Sequence, residues 1–263
     1  MFLREIKSNY KNFIIWTLIL IGMFFIVFLI YPSIIKSNNI EMLNEMMKVF
    51  PEEILKAFNM DISNIDTAFG WLKTEGFVFV LLITGIYSGI LGSNILLKEE
   101  NDKTIEYLNS LPISRNKIVV NKILCALAFI FYMILILGIF NFIGLSLSGD
   151  FDKKLYILLS ITPLLSSIVI FSICLFLSTF FRRTKKTLGL SLMLVFVSYF
   201  LEVLSELSEN IEFLKYASVF SLDDIRNVIT NTQINPLMII LSILLTSIFI
   251  FLTLKNYNKK EFL

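Results

Sequence analysis

Apolar residues along the chain fall into six blocks of about 20, the length of helix that crosses the hydrocarbon core of a bilayer. They cover residues 13–35, 76–97, 118–145, 156–181, 187–204 and 235–254, and polar residues gather between them. The third block is longer than a bilayer needs, which predicts a tilt or an interfacial start. Pro163 lies in the first turns of the fourth, where its missing N–H matters least. The first block is too long for a signal-peptide core and lacks an Ala-x-Ala site, so it reads as a retained span. The pattern predicts an all-α integral membrane protein with six transmembrane helices.

Helical periodicity continues outside the blocks. Phe2, Ile6, Tyr10 and Phe13 share one face of the N-terminal segment, beside Arg4, Lys7 and Lys11. This is either an amphipathic elbow helix on the membrane surface or an ordinary positive flank. In the 36–75 segment, Met42, Leu43, Met46, Met47, Phe50, Ile54, Leu55 and Phe58 recur at helical spacing, with Pro51, Glu52 and Glu53 suited to a helix start. Two short external helices are expected there. Residues 205–234 alternate acidic patches with apolar pieces and read as an external loop or a re-entrant pair, in which Arg226 could meet Asp223 or Glu212.

Composition agrees with the pattern: 56% of residues are hydrophobic, 17% are charged, and the mean hydropathy is +0.79. The chain has no histidine, which removes Ser-His catalysis, His-ligated metals and His-ligated haem. Cys125 and Cys174 both sit inside apolar blocks, as small hydrophobes rather than a disulfide framework. A net charge of +2 is too small to suggest nucleic acid.

Charge distribution sets the expected orientation. Fifteen of the 23 Lys and Arg residues lie on the side that holds both termini, within the N-terminal flank, 98–122, 182–186 and the C-terminal tail. By the positive-inside rule the termini are cytoplasmic. The Arg182-Arg-Thr-Lys-Lys186 run is a topology anchor, or touches a partner or anionic lipid. A chain rich in Ile, Asn and Lys fits an AT-rich bacterial genome and a bacterial plasma membrane.

The spans carry no ladder of ionisable residues at mid-depth, which argues against a proton-coupled carrier. Glu202 lies near the external end of span five. Span two carries a stripe of small and polar residues, Thr84, Gly85, Ser88, Gly89, Gly92 and Asn94. Gly85-x-x-x-Gly89 permits close helix approach, so these residues either pack helices or line a pathway.

The most informative segment is 98–117, Lys-Glu-Glu-Asn-Asp-Lys-Thr-Ile-Glu-Tyr-Leu-Asn-Ser-Leu-Pro-Ile-Ser-Arg-Asn-Lys. Glu99, Glu100 and Asp102 suit the start of a short helix, and Pro112 breaks it before the next span. Ile105, Tyr107, Leu108, Leu111 and Ile113, rimmed by charge, suggest a protein partner.

This segment resembles the cytoplasmic loop of ABC-2 type transporter permeases. The matching positions are the acidic pair Glu99-Glu100, then Thr104, Glu106, the turn Leu111-Pro112-Ile113-Ser114-Arg115, and Lys122 in the following span. Family members usually have Gly before the Thr, where this chain has Lys103. The resemblance implies a single transmembrane permease domain over 1–263, with an elbow helix, a coupling helix at 98–117 and short external helices. It also implies docking of a separate ATPase subunit on Glu99, Glu100, Thr104, Glu106, Tyr107, Leu108, Leu111, Pro112 and Arg115, and a second permease copy or a similar chain. The sequence has no G-x-x-x-x-G-K-[ST] phosphate loop, so ATP and Mg²⁺ are expected on the partner and no cofactor on this chain. The implied function is the pathway-forming subunit of an ATP-driven exporter. The alternatives are a membrane anchor or sensor that recruits a cytoplasmic protein and, with little catalytic apparatus in the sequence, a membrane-embedded enzyme.

Overall fold

The structure, a computed structural model, describes residues 2–36, 49, 67–105, 112–207 and 209–260. The expected surface helices around 42–58 lie outside the described residues, as do Glu106, Tyr107, Leu108 and Leu111. Among the described residues the secondary structure is helical throughout, and six helices are long and apolar enough to cross a membrane.

Helix α1 (Phe2–Lys36) is unbroken, so the amphipathic N-terminus forms its first turns rather than a separate elbow. With no proline before Pro32 and no cap between flank and span, nothing in the sequence stops the helix. Helix α2 (Ala68–Trp71) begins at Thr67, whose hydroxyl accepts from the Gly70 amide at 3.0 Å. It continues through a π-helical turn at Leu72–Gly76 into α3 (Phe77–Ile95). The loop after it holds the short α4 (Lys98–Asn101).

Ser114 caps α5 (Arg115–Ser148), which at 34 residues is about 51 Å long, well beyond a hydrocarbon core of about 30 Å. The fourth span is two helices, α6 (Lys153–Ile161) and α7 (Pro163–Ser178), joined at Thr162 because Pro163 cannot donate to the ladder. Then follow α8 (Thr184–Leu207), 3-10 turns at Glu209–Ala217 and Phe220–Asp223, α9 (Ile225–Asn231) and α10 (Pro236–Lys259).

Helices α3 and α7 form the centre, with α8 packed on α3, α10 on α7, and α1 along α5. The core runs from Leu20 and Phe24 of α1 through Phe77, Val80 and Leu91 of α3 to Phe129, Met133 and Leu137 of α5 and Phe171 and Leu175 of α7. Helices α1, α8 and α10 leave most of their apolar length on the surface. In water that would be prohibitive; in a membrane it is the lipid-facing or copy-facing side.

The 205–234 region is more than a connecting loop. Phe220, Leu222 and Asp223 are buried, and the Phe220–Asp223 turn packs against α7, α8 and α10. An apolar face on Phe220 and Leu222 that would be wasted in water is used here to fill the end of the bundle.

Candidate partner-docking site

The 98–105 backbone is built as a helix end. In α4 the Asn101 amide bonds to the Leu97 carbonyl and the Asp102 amide to Lys98. The Lys103 and Thr104 amides then turn back to the Glu100 and Glu99 carbonyls, at 3.4 and 2.9 Å. This paired return is a Schellman end, whose key residue must be left-handed. That residue is Lys103, with φ 55°.

Beneath the turn lies a buried charge cluster. Lys122, fully buried about two turns into α5, donates from Nζ to Glu99 Oε1 at 2.7 Å and Oε2 at 2.9 Å. The same ammonium donates to the Ile95 carbonyl at 2.7 Å and reaches Glu5 Oε2 of α1 at 3.3 Å. Ile95 ends α3, where carbonyls lack helical partners and a cation is favoured. Glu5 sits in the first turn of α1, where an anion is favoured. Three elements are thereby joined through one side chain.

Other contacts gather at this end. Lys98 donates to the Ser8 carbonyl at 2.9 Å, and Asn101 to Thr184 at the start of α8. Lys260, just past α10, bonds Glu100 at 2.6 Å and the Phe181 carbonyl at 2.8 Å. Arg115 holds the carbonyls of Asn258 and Lys260 at 3.2 and 3.0 Å. The start of α1, the end of α3, the start of α5, the α7–α8 junction and the end of α10 therefore share one end of the bundle.

This geometry sorts the residues expected at a partner surface. Glu99 points inward and Glu100 is largely covered by Lys260. Ile105 is buried within the chain and is not displayed. Arg115 is half-buried, whereas Thr104 and Pro112 are exposed, together with Asp102 and Lys103. Glu106, Tyr107, Leu108 and Leu111 lie outside the described residues.

A family comparison matches the ABC-2 family transporter protein model over residues 4–262. The chain belongs to the ABC-2 transporter family. It is a membrane-spanning permease of that family, with six apolar helices to form the membrane part. No curated protein and no solved structure gives a match to the chain.

In this ABC-2 permease the span-two stripe is interior. Thr84 and Ser88 are fully buried, and the Thr84 hydroxyl returns to its own helix at Val80, 2.7 Å away. Gly85 faces Phe220 and Ile170, Gly89 faces Ser191 and Val195, and Asn94 is half-buried. These small residues let α3 lie close to α7 and α8.

At the opposite end, Asp223 Oδ1 accepts from the Ser166 amide at 3.0 Å, in the first turn of α7. The carboxylate thereby caps the start of α7 just after the Thr162–Pro163 break. Burial pushes the Asp223 carboxyl well above its ordinary range, opposed by the Ser166 hydrogen bonds and reinforced by Glu202. Arg226 meets neither Asp223 nor Glu212; it pairs with Glu206 at 3.1 Å. Asp223 has turned inward, and Glu212 is taken by Lys215. Glu206, Glu202, Tyr199 and Phe220 border a cavity of about 80 Å³ with Arg226 at its edge.

Two of these residues carried only weak sequence signals. Lys122 is a lysine inside a predicted span, which calls for a partner. Glu5 is the one acid in the basic N-terminal flank. Nothing in the sequence pairs them, since they are 117 positions apart.

Proposed function

We propose that this chain is the pathway-forming subunit of an ATP-driven ABC-2 exporter, with ATP and Mg²⁺ bound by a separate ATPase that docks on the 98–117 loop. A second permease copy, or a similar chain, completes the pathway. Both termini lie in the cytoplasm of a bacterial cell and the Phe220–Asp223 turn faces outward. The observation that carries this reading is a family match spanning nearly the whole chain, on a sequence with no phosphate loop of its own. The exposed edge Asp102, Lys103, Thr104 and Pro112, standing over a buried ionic base, supports docking from that end. ATP-driven closure of the ATPase pair would press on the loop and shift the bundle between inward and outward access.

The test is a mild-detergent pull-down of the tagged chain from its native membranes, with mass spectrometry of the associated proteins. A stoichiometric ATPase is expected, and it should be lost with Glu106→Lys or Pro112→Ala while the span topology is kept. If the chain comes alone, or both variants hold the ATPase and transport as before, the docking assignment is wrong.

A further inference from the structure

Lys122 does more than neutralise a buried acid. An ammonium has three donors, and here each is used on a different element: Glu99 of α4, the Ile95 carbonyl of α3 and Glu5 of α1. The three legs are unequal. Glu99 and Ile95 lie at 2.7 Å, whereas Glu5 lies at 3.3 Å. The loop and the end of α3 are thus tightly held, and α1 is the looser leg.

The charge balance is also unusual. Two buried acids share one buried ammonium. A lone Lys122–Glu99 pair would already be neutral, and a second buried acid adds desolvation cost without a second cation. A helix start favours the Glu5 charge, but that alone does not call for burying it against Lys122. Its effect is mechanical: it ties the first turn of α1 to the loop through one atom. The Asn9 side chain, bonded to the Glu5 carbonyl at 3.0 Å, stiffens that turn, and Lys98 on Ser8 adds a second link.

We propose that Lys122 is a positioning residue that relays displacement of the 98–105 loop to α1 through Glu5, so that the loop and the start of α1 move as one body. This rests on the docking reading above for what moves the loop, but not for the relay itself. Helix α1 packs mainly along α5 and has a mostly exposed apolar length, so it is free to follow such a pull.

The experiment is pulsed EPR on the full chain in nanodiscs, with spin labels at Lys7→Cys and Asp102→Cys, both exposed, and a second pair at Asp102→Cys and Leu147→Cys. The native Cys125 and Cys174 are buried and stay unlabelled. Distances are read for the chain alone and with its co-purified ATPase trapped with ATP and vanadate. In the wild type, the 7–102 distance should be narrow and unchanged by trapping, while the 102–147 distance shifts. Glu5→Gln should lose the narrow 7–102 distance, with a melting temperature equal to or above that of the wild type, because it removes one of two buried acids that share a single cation. Lys122→Met should lose it too.

An unchanged 7–102 distribution in Glu5→Gln overturns the relay, as does a wild-type distance that widens on trapping. A lower melting temperature for Glu5→Gln would make Glu5 a structural contact only, with the same consequence. If no ATPase accompanies the chain, the docking reading fails, and the comparison of wild type with Glu5→Gln in the chain alone still decides the relay.

Discussion

A Cβ placed on Gly92 would lie 2.6 Å from the carbonyl oxygen of Phe171, so the backbones of α3 and α7 touch there with no side chain between them. The neighbouring glycines of α3 differ. At Gly85 the nearest atom is the tip of the Phe220 ring, at 2.9 Å, and at Gly89 it is Val195 at an ordinary 3.5 Å.

Alanine substitutions should therefore rank by what each must displace. Gly92→Ala pushes backbone against backbone and should cost about 3 kcal/mol, the upper end for overpacking. Gly85→Ala displaces a ring that can swing, so it should cost about 1 kcal/mol and speed hydrogen exchange at 220–223. Gly89→Ala meets no clash and gains helix propensity, so it should be neutral or stabilise by about 0.5 kcal/mol. Thermal unfolding in detergent gives the order; a Gly92→Ala protein as stable as wild type would show that the α3–α7 contact is not this close.

Lys103 occupies a left-handed position that glycine fills without strain. The cost to a side chain there is about 1–2 kcal/mol. Lys103→Gly should return part of it, a local gain of about 0.5–1 kcal/mol after the entropy of glycine is set against it. Lys103→Val, β-branched, should do the reverse. Exchange protection of the 99–104 amides reads both; faster exchange in the glycine variant would contradict the Schellman end.

The raised carboxyl of Asp223 makes the stability of the Phe220–Asp223 turn depend on pH. A carboxyl that holds its proton more tightly when folded favours the folded state fully below the ordinary carboxyl pKa of about 4. That contribution is lost as pH rises toward the folded value. The melting temperature of the wild type should thus fall over this range relative to Asp223→Asn, which keeps an acceptor for the Ser166 amide and cannot ionise. Parallel pH profiles for the two proteins would remove Asp223 as the source.

The left-handed residue explains one departure in the sequence. The resemblance implies glycine before Thr104, and in this chain that position ends a helix with positive φ. Lys103 adopts that geometry at a local cost, so the mismatch in the motif falls on a position that suits glycine. The loop's acidic pair was equally legible as a motif but misleading as a surface. Glu99 reads from sequence as a helix-start acid open to a partner, whereas its side chain is the inner half of a buried ion pair.

Six spans and an all-helical membrane protein were set by the sequence itself, because hydropathy and helical period are local properties that a window of about 20 residues records. The 98–117 motif and the missing phosphate loop were local in the same sense. Tertiary structure alone decided that α1 runs on without an elbow, that the stripe from Thr84 to Gly92 packs inward, and that Phe220–Asp223 folds back into the bundle. It alone decided that Glu5, Glu99 and Lys122 meet. Those outcomes depend on which of several compatible faces finds a neighbour, and a buried charge finds its partner by distance in space, which separation along the chain does not encode.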